Sequence, residues 1–169
     1  MLHAVLAAAF IGLGVLMATA PGADAQETIR GVATVKGPDK LVVGGTEVRL
    51  FGIDAPEARQ PCFVGDRDWD CGTAAAKTLL DLAGDQDVEC DVRLKDRFRR
   101  IYAVCRVRGE DINAALTRAG MALAVRSESE EYVDDEESAA AAKAGMWRGT
   151  FLEPWNFREK VTGVYQTRR

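Results

Sequence analysis

Apolar and polar positions divide the chain into a long apolar start, a set of short strand-like runs and three helical patterns. Residues 28–36 alternate loosely and carry β-branched residues, which predicts a strand; Gly37-Pro38-Asp39-Lys40 then supplies turn chemistry. Two further runs, residues 41–43 and 46–53, are joined by Gly44-Gly45, the connection of a two-residue hairpin. Three strands in a meander result. Residues 58–69 turn to Arg, Gln, Pro, Gly and Asp, the composition of an exposed loop. Residues 73–83 then place Ala76, Leu79, Leu80 and Ala83 at helical spacing, with Gly84 as a stop.

Residues 88–94 and 101–107 are strand-like and flank Lys95-Asp96-Arg97-Phe98-Arg99-Arg100, which reads as a hairpin tip. Asp111 opens a second helix with Ile112, Ala115, Leu116 and Ala119 on one face and Gly120 at its end. A third helix runs from Ser129, as N-cap, to Ala144, acidic early and alanine-rich late. The acidic run of residues 128–137 reads as its solvated face. Trp147, Phe151, Pro154 and Trp155 are expected to pack the tail onto the body. Five strands, one helix between the third and fourth and two after the fifth give an α+β order, compatible with a five-stranded OB-type β-barrel with three helices.

Length and composition change this picture at the N-terminus. With 169 residues, 47% apolar and 28% charged, the chain has material for one well-packed domain. Residues 4–20 are almost wholly apolar or small, and Ala23-Asp24-Ala25 offers a small-x-small cleavage site. Residues 1–25 therefore read as a signal peptide and residues 26–169 as a single OB-fold domain, secreted or periplasmic. The start has no Lys or Arg, so an uncleaved membrane anchor is the alternative. The net charge of −4 becomes −3 without Asp24, so whole-protein attraction to nucleic acid is not expected.

Four cysteines in the exported part suit two disulfides. Three connectivities are possible; joining the ends of the loop pairs Cys62 with Cys71, and the hairpin centre places Cys90 opposite Cys105. No C-x-x-C pair occurs and the only histidine is His3, which argues against zinc.

The chemistry concentrates at residues 48–57. Arg49 sits inside an apolar run, and a guanidinium there is costly unless an anion meets it. Pro56 forces the chain out of the sheet, leaving Asp54 and Glu57 on an exposed corner. Acids beside arginines suit phosphodiester hydrolysis: Asp39, Asp54 and Glu57 offer hard oxygen ligands and a base, while Arg49 and Arg100 can clamp a phosphate by paired donors. Each residue also has a bland reading. Asp39, Asp54 and Glu57 are ordinary turn and helix-start acids, Arg49 a structural ion pair, and residues 95–100 a solvated tip.

Taken in order, the pieces resemble the thermonuclease, or staphylococcal-nuclease-like, family across residues 32–158. The carriers are Arg49-Leu-Phe-Gly-Ile-Asp54-Ala-Pro-Glu57, Asp96-Arg-Phe-Arg-Arg100, Asp111-Ile-Asn113-Ala-Ala-Leu with Gly120-Met-Ala, and Ala144-Gly-Met-Trp147 with Pro154 and Arg158. The cysteine placement is similar to that of exported bacterial members.

The resemblance implies an OB barrel and Ca²⁺-dependent cleavage of DNA and RNA to 3′-phosphate and 5′-hydroxyl products. Arg49 and Arg100 would stabilise the transition state and Glu57 would be the general base. Asp39, Asp54 and the carbonyl of Ala55 would hold calcium, and Phe98, with Lys95, Arg97 and Arg99, would meet the substrate. The family's first turn reads Asp-Gly-Asp-Thr where this chain has Gly37-Pro38-Asp39-Lys40, so an acid and a hydroxyl are missing and a cation has arrived. Arg126 stands where a second aromatic residue is expected.

A monomeric nuclease acting on DNA and RNA, with no stable protein partner and no membrane partner once the leader is cleaved, is the leading expectation. A non-catalytic OB-fold module binding nucleic acid or protein in the cell envelope is the alternative, and a structural envelope domain a third.

Overall fold

The computed structural model describes residues 26–163; the expected signal peptide lies outside them. Strands β1 (Thr28–Gly37), β2 (Lys40–Val43) and β3 (Thr46–Leu50) form the expected antiparallel meander. Gly44 and Gly45 take φ of +55° and +84°, the left-handed pair that a tight two-residue hairpin requires. After the short β4 (Ile53–Asp54), residues 58–69 are not the irregular loop their composition suggests. They hold a second hairpin, β5 (Pro61–Val64) and β6 (Arg67–Asp70), because Cys62–Cys71 and backbone bonds between Phe63 and Thr150 support its strands.

Helix α1 (Cys71–Ala83) is capped by Asp70, whose carboxylate accepts from the Thr73 amide. Its buried face runs through Cys71, Ala75, Leu79 and Ala83, whereas Leu80, expected inside, is exposed and Ala76 only half-buried. Two contacts fix this rotation: the disulfide at Cys71, and Gly72, where an added Cβ would lie 1.8 Å from the Glu57 carbonyl oxygen.

Strands β7 (Asp87–Lys95) and β8 (Ile101–Val107) form the next hairpin, with Cys90 opposite Cys105 and the two disulfide-bonded as expected. β7 pairs with β1, and β8 runs parallel to β3, closing a five-stranded mixed barrel in the order β3-β2-β1-β7-β8. Ala33, Leu41, Val43, Val48, Leu50, Val88 and Ala103 fill it. Disulfides at both cysteine pairs suit an oxidising compartment.

Past β9 (Glu110–Asp111), helix α2 (Ile112–Arg118) starts from the Asp111 cap. Asn113, on its first turn, is fully buried. Cys105 lies beyond the last β3–β8 pair, Leu50–Ala103, and before the first β8–β9 pair, Arg106–Asp111. Its amide therefore turns to a side chain, donating to Asn113 Oδ1 at 3.2 Å, while Asn113 Nδ2 donates to the carbonyls of Phe51 at 2.9 Å and Ala103 at 3.3 Å.

Strand β10 (Leu123–Ala124) pairs with β4, and helix α3 (Val133–Ala141) begins at Tyr132 rather than Ser129. The acidic run is not wholly solvated. Glu136 is buried, accepting from the Ala124 amide and pairing with Arg126, because a β10 amide needs an acceptor that no strand supplies.

A 3₁₀ turn (Gly145–Arg148) leads to a fourth helix, α4 (Pro154–Thr162), beyond the three expected. Trp147 packs with Phe151 against Cys62, Cys71, Leu123 and Met146, but Trp155 is exposed. Among the described residues no helix is long and apolar enough to cross a membrane.

Candidate functional site

The site gathers where the meander, the β4 corner and the C-terminal helix meet. The turn between β1 and β2 carries Asp39, whose carbonyl accepts from the Leu50 amide at 3.0 Å, tying the turn to the end of β3. Lys40 pairs across the ladder with Arg49. β3 ends at Leu50, the Gly52 amide donates to Glu128 Oε2, and β4 delivers Asp54 against Leu123. The expected exposed corner is instead interior. Asp54 is 0% exposed and Ala55 2%, and β10 and α4 cover Asp54.

Glu57 is half-buried and its backbone is held by a fully buried glutamine. The Glu57 amide donates to Gln60 Oε1 at 3.0 Å, and Gln60 Nε2 donates to the Leu152 carbonyl at 2.8 Å, on the segment leading into α4. Gln60 carried no signal in the sequence, since one of its two partners, the Leu152 carbonyl, lies 92 positions away.

The carboxylates do not rest on Arg49, as expected, but on Arg158. Its two Nη atoms reach the two Asp54 oxygens at 3.0 and 2.6 Å, and Nη1 also reaches Glu57 Oε1 at 2.7 Å. Burial works against the Arg158 charge, but these two partners outweigh it and raise its pKa above the ordinary arginine value. Arg158 stands 104 residues from Asp54 and reaches it because Pro154 starts a helix that turns this side chain inward.

Arg49 keeps the need that the sequence posed. Its Nε is buried with no hydrogen-bond partner among the described residues. The Asp39 carboxyl is pushed above the ordinary carboxylate range, first by burial and next by the charge of Asp54, with Glu57 adding to it while Lys40 and Arg49 pull it down. Asp39, Lys40, Arg49, Asp54 and Glu57 therefore share one electrostatic neighbourhood. Among the described residues no three His, Cys, Asp or Glu side chains converge as a metal cage.

The hairpin tip adds a second group. Asp96 accepts from the Phe98 and Arg100 amides, both at 2.9 Å, and pairs with Arg100 Nε at 2.5 Å. Arg100 is thus oriented at the start of β8, two residues before Tyr102, the partner of Arg49 in the parallel ladder. Phe98 is 63% exposed, with the guanidinium carbons of Arg97 and Arg100 at 4.7 and 5.2 Å from its ring centre. Arg97 and Arg99 are exposed, whereas Lys95 pairs with Glu27.

Residues 47–149 match the family described as "Staphylococcal nuclease homologue". The chain belongs to that family. Two curated proteins are similar to this staphylococcal nuclease homologue over most of its length. The succinoglycan biosynthesis protein ExoI of Rhizobium meliloti (strain 1021) is 32% identical over 130 residues, covering 75% of this chain and 68% of its own. An uncharacterized endonuclease of Haemophilus influenzae (strain ATCC 51907 / DSM 11121 / KW20 / Rd) is 34% identical over 128 residues, covering 72% and 67%. The family match begins at Glu47 and ends at Gly149, so it spans Arg49, the corner and the hairpin tip but neither Asp39 nor Arg158.

Proposed function

We propose that the mature chain, residues 26–169, is an exported phosphodiesterase that cleaves DNA and RNA with low sequence specificity. The observation that carries this reading is Arg49: its buried Nε has no hydrogen-bond partner among the described residues, which leaves a donor beside the carboxylates open to a further anion. A phosphodiester is such an anion. Arg49 and Arg100 donate to its non-bridging oxygens, where charge grows in the transition state. Glu57 accepts the proton of the attacking water as the new O–P bond forms. The P–O5′ bond breaks, the departing 5′-oxygen takes a proton from water, and the products are a 3′-phosphate and a 5′-hydroxyl.

Calcium suits the donors at hand, which are hard oxygens: the carboxylates of Asp39 and Asp54 and the carbonyl of Ala55. The Asp39 carboxyl, raised first by burial and next by the charge of Asp54, is one that a divalent ion would help to hold ionised. When bound, calcium supplies Lewis-acid stabilisation of the phosphoryl charge. The exposed Phe98 ring stacks with a base, and Arg97 and Arg99 meet the backbone phosphates. Lys95, held by Glu27, contributes to the same positive tip.

The test is incubation of the mature protein with single-stranded DNA and Ca²⁺ beside a Glu57→Gln variant. Cleavage is expected from the native protein and a loss of about 10²- to 10⁴-fold from the variant, the range for a positioned general base. No cleavage, or equal cleavage by both, sinks the reading. The alternative, a binding module that does not cut, draws support from Lys40 beside the metal-side carboxylates. It predicts salt-sensitive oligonucleotide binding with no products at any calcium concentration.

A further inference from the structure

Among the described residues Arg158 is the side chain that holds both the carboxylate assigned to the metal and the carboxylate assigned as base, and nothing in the chemistry of hydrolysis requires it there. We infer that Arg158 is a tethered counter-ion of the site, which a divalent cation must displace, so that metal binding and docking of α4 are competitive. The inference rests on the nuclease reading for the roles of Asp54 and Glu57, but its test is one of binding.

The geometry is specific. The guanidinium forks onto both Asp54 oxygens, at 3.0 and 2.6 Å, and its Nη1 bridges to Glu57 Oε1 at 2.7 Å. Asp54 is 0% exposed and Arg158 16% exposed, so the pair is shielded from bulk water and the guanidinium sets a positive charge directly against the Asp54 oxygens. A divalent cation drawn to the same two oxygens would sit against a buried like charge. The two arrangements therefore exclude each other.

Displacement has a built-in lever. Arg158 lies on α4, and its fork is the charged attachment of that helix to the corner, next to the Gln60–Leu152 bond before the helix begins. Releasing Arg158 frees Glu57 at the same moment, since the same Nη1 bonds both carboxylates. Cation arrival, release of the base and loosening of α4 become one event. The two ligands of Asp54, guanidinium and metal, are then linked by a coupling that acts equally in both directions.

Calorimetric Ca²⁺ titration of the native protein and of Arg158→Gln tests this, with hydrogen exchange of residues 154–162 followed in the native protein. Calcium is expected to bind the variant about 10- to 100-fold more tightly, the usual span of site-to-site coupling, and to raise its Tm more than that of the native protein. In the native protein, saturating Ca²⁺ is expected to speed exchange in α4. Should Arg158→Gln not fold without metal, Arg158→Lys, which keeps the charge but not the two-pronged fork, is expected to bind calcium more tightly than the native protein. Unchanged or weaker calcium binding in the variants, no calcium binding in any of the three, or α4 exchange indifferent to calcium overturns the inference. Cleavage assayed in parallel separates the two ideas: competition without cleavage removes the nuclease reading alone, and cleavage without competition removes this inference alone.

Discussion

Asn113 offers the sharpest test of how the corner is held. It is fully buried on the first turn of α2 and satisfies three backbone groups: the Cys105 amide and the Phe51 and Ala103 carbonyls. Truncation to alanine does not orphan all three. The Ala103 carbonyl still accepts from the Phe51 amide at 2.9 Å, which leaves the Cys105 N–H and the Phe51 carbonyl to lose the partner shown here.

An unsatisfied buried polar group costs about 1–3 kcal/mol, so Asn113→Ala is expected to destabilise the fold by about 2–6 kcal/mol. At roughly 2–4 °C per kcal/mol for a domain near this size, Tm falls by roughly 4–24 °C. Urea titration should show a lower midpoint at an unchanged slope, since the surface exposed on unfolding is nearly the same. Asn113→Asp separates the hydrogen bonds from the volume. Its carboxylate keeps an acceptor for the Cys105 amide but faces two carbonyl oxygens, so it is expected to be about as damaging as alanine at neutral pH and less so once protonated. A loss below about 1 kcal/mol for Asn113→Ala at unchanged slope would refute the argument, because the two backbone groups would then have found other partners.

Two further outcomes follow from the same structure. Replacing both Cys90 and Cys105 by alanine removes a cross-link of 15-residue separation and is expected to lower stability by about 3 kcal/mol on the chain-entropy estimate, measured as a urea midpoint; a double variant as stable as the native protein would count against it. Burial raises the Asp91 carboxyl, but bonds from Arg106 at 2.6 Å and Thr28 at 3.1 Å prevail and hold it below the ordinary range. A depressed folded pKa means stability that is present above about pH 4, the unfolded value, and lost as pH falls through the folded one. The stability gap between the native protein and Asp91→Asn should therefore narrow in urea melts below about pH 4, and a gap constant from acid to neutral pH would contradict the assignment.

Much of the fold was legible because its causes are local. Alternation, Gly44-Gly45 and the equal spacing of Cys90 and Cys105 about the tip define the meander, its hairpin and the β7–β8 register. The cap Asp111 marks a helix start by a short-range bond to the Ala114 amide. The second hairpin at residues 61–70 was hidden, since its polar composition resembles a loop and its order comes from the disulfide and from Thr150, 87 positions beyond Phe63. The face of α1 was misjudged for a similar reason. Periodicity allows several rotations, and the Gly72–Glu57 contact selects one.

For the site, the sequence by itself determined which groups are available: an arginine in an apolar run, two acids around a proline, and a tip of arginines with one aromatic ring. Those are properties of neighbours along the chain. Only the tertiary structure decided the state of charge among them. It buried Asp54 instead of exposing it, left Arg49 Nε without a hydrogen-bond partner among the described residues, and gave both acids to Arg158, 104 positions beyond Asp54 along the chain. The physical reason is that a buried charge is settled by whichever counter-charge arrives within hydrogen-bonding distance, and which one arrives depends on how distant elements pack.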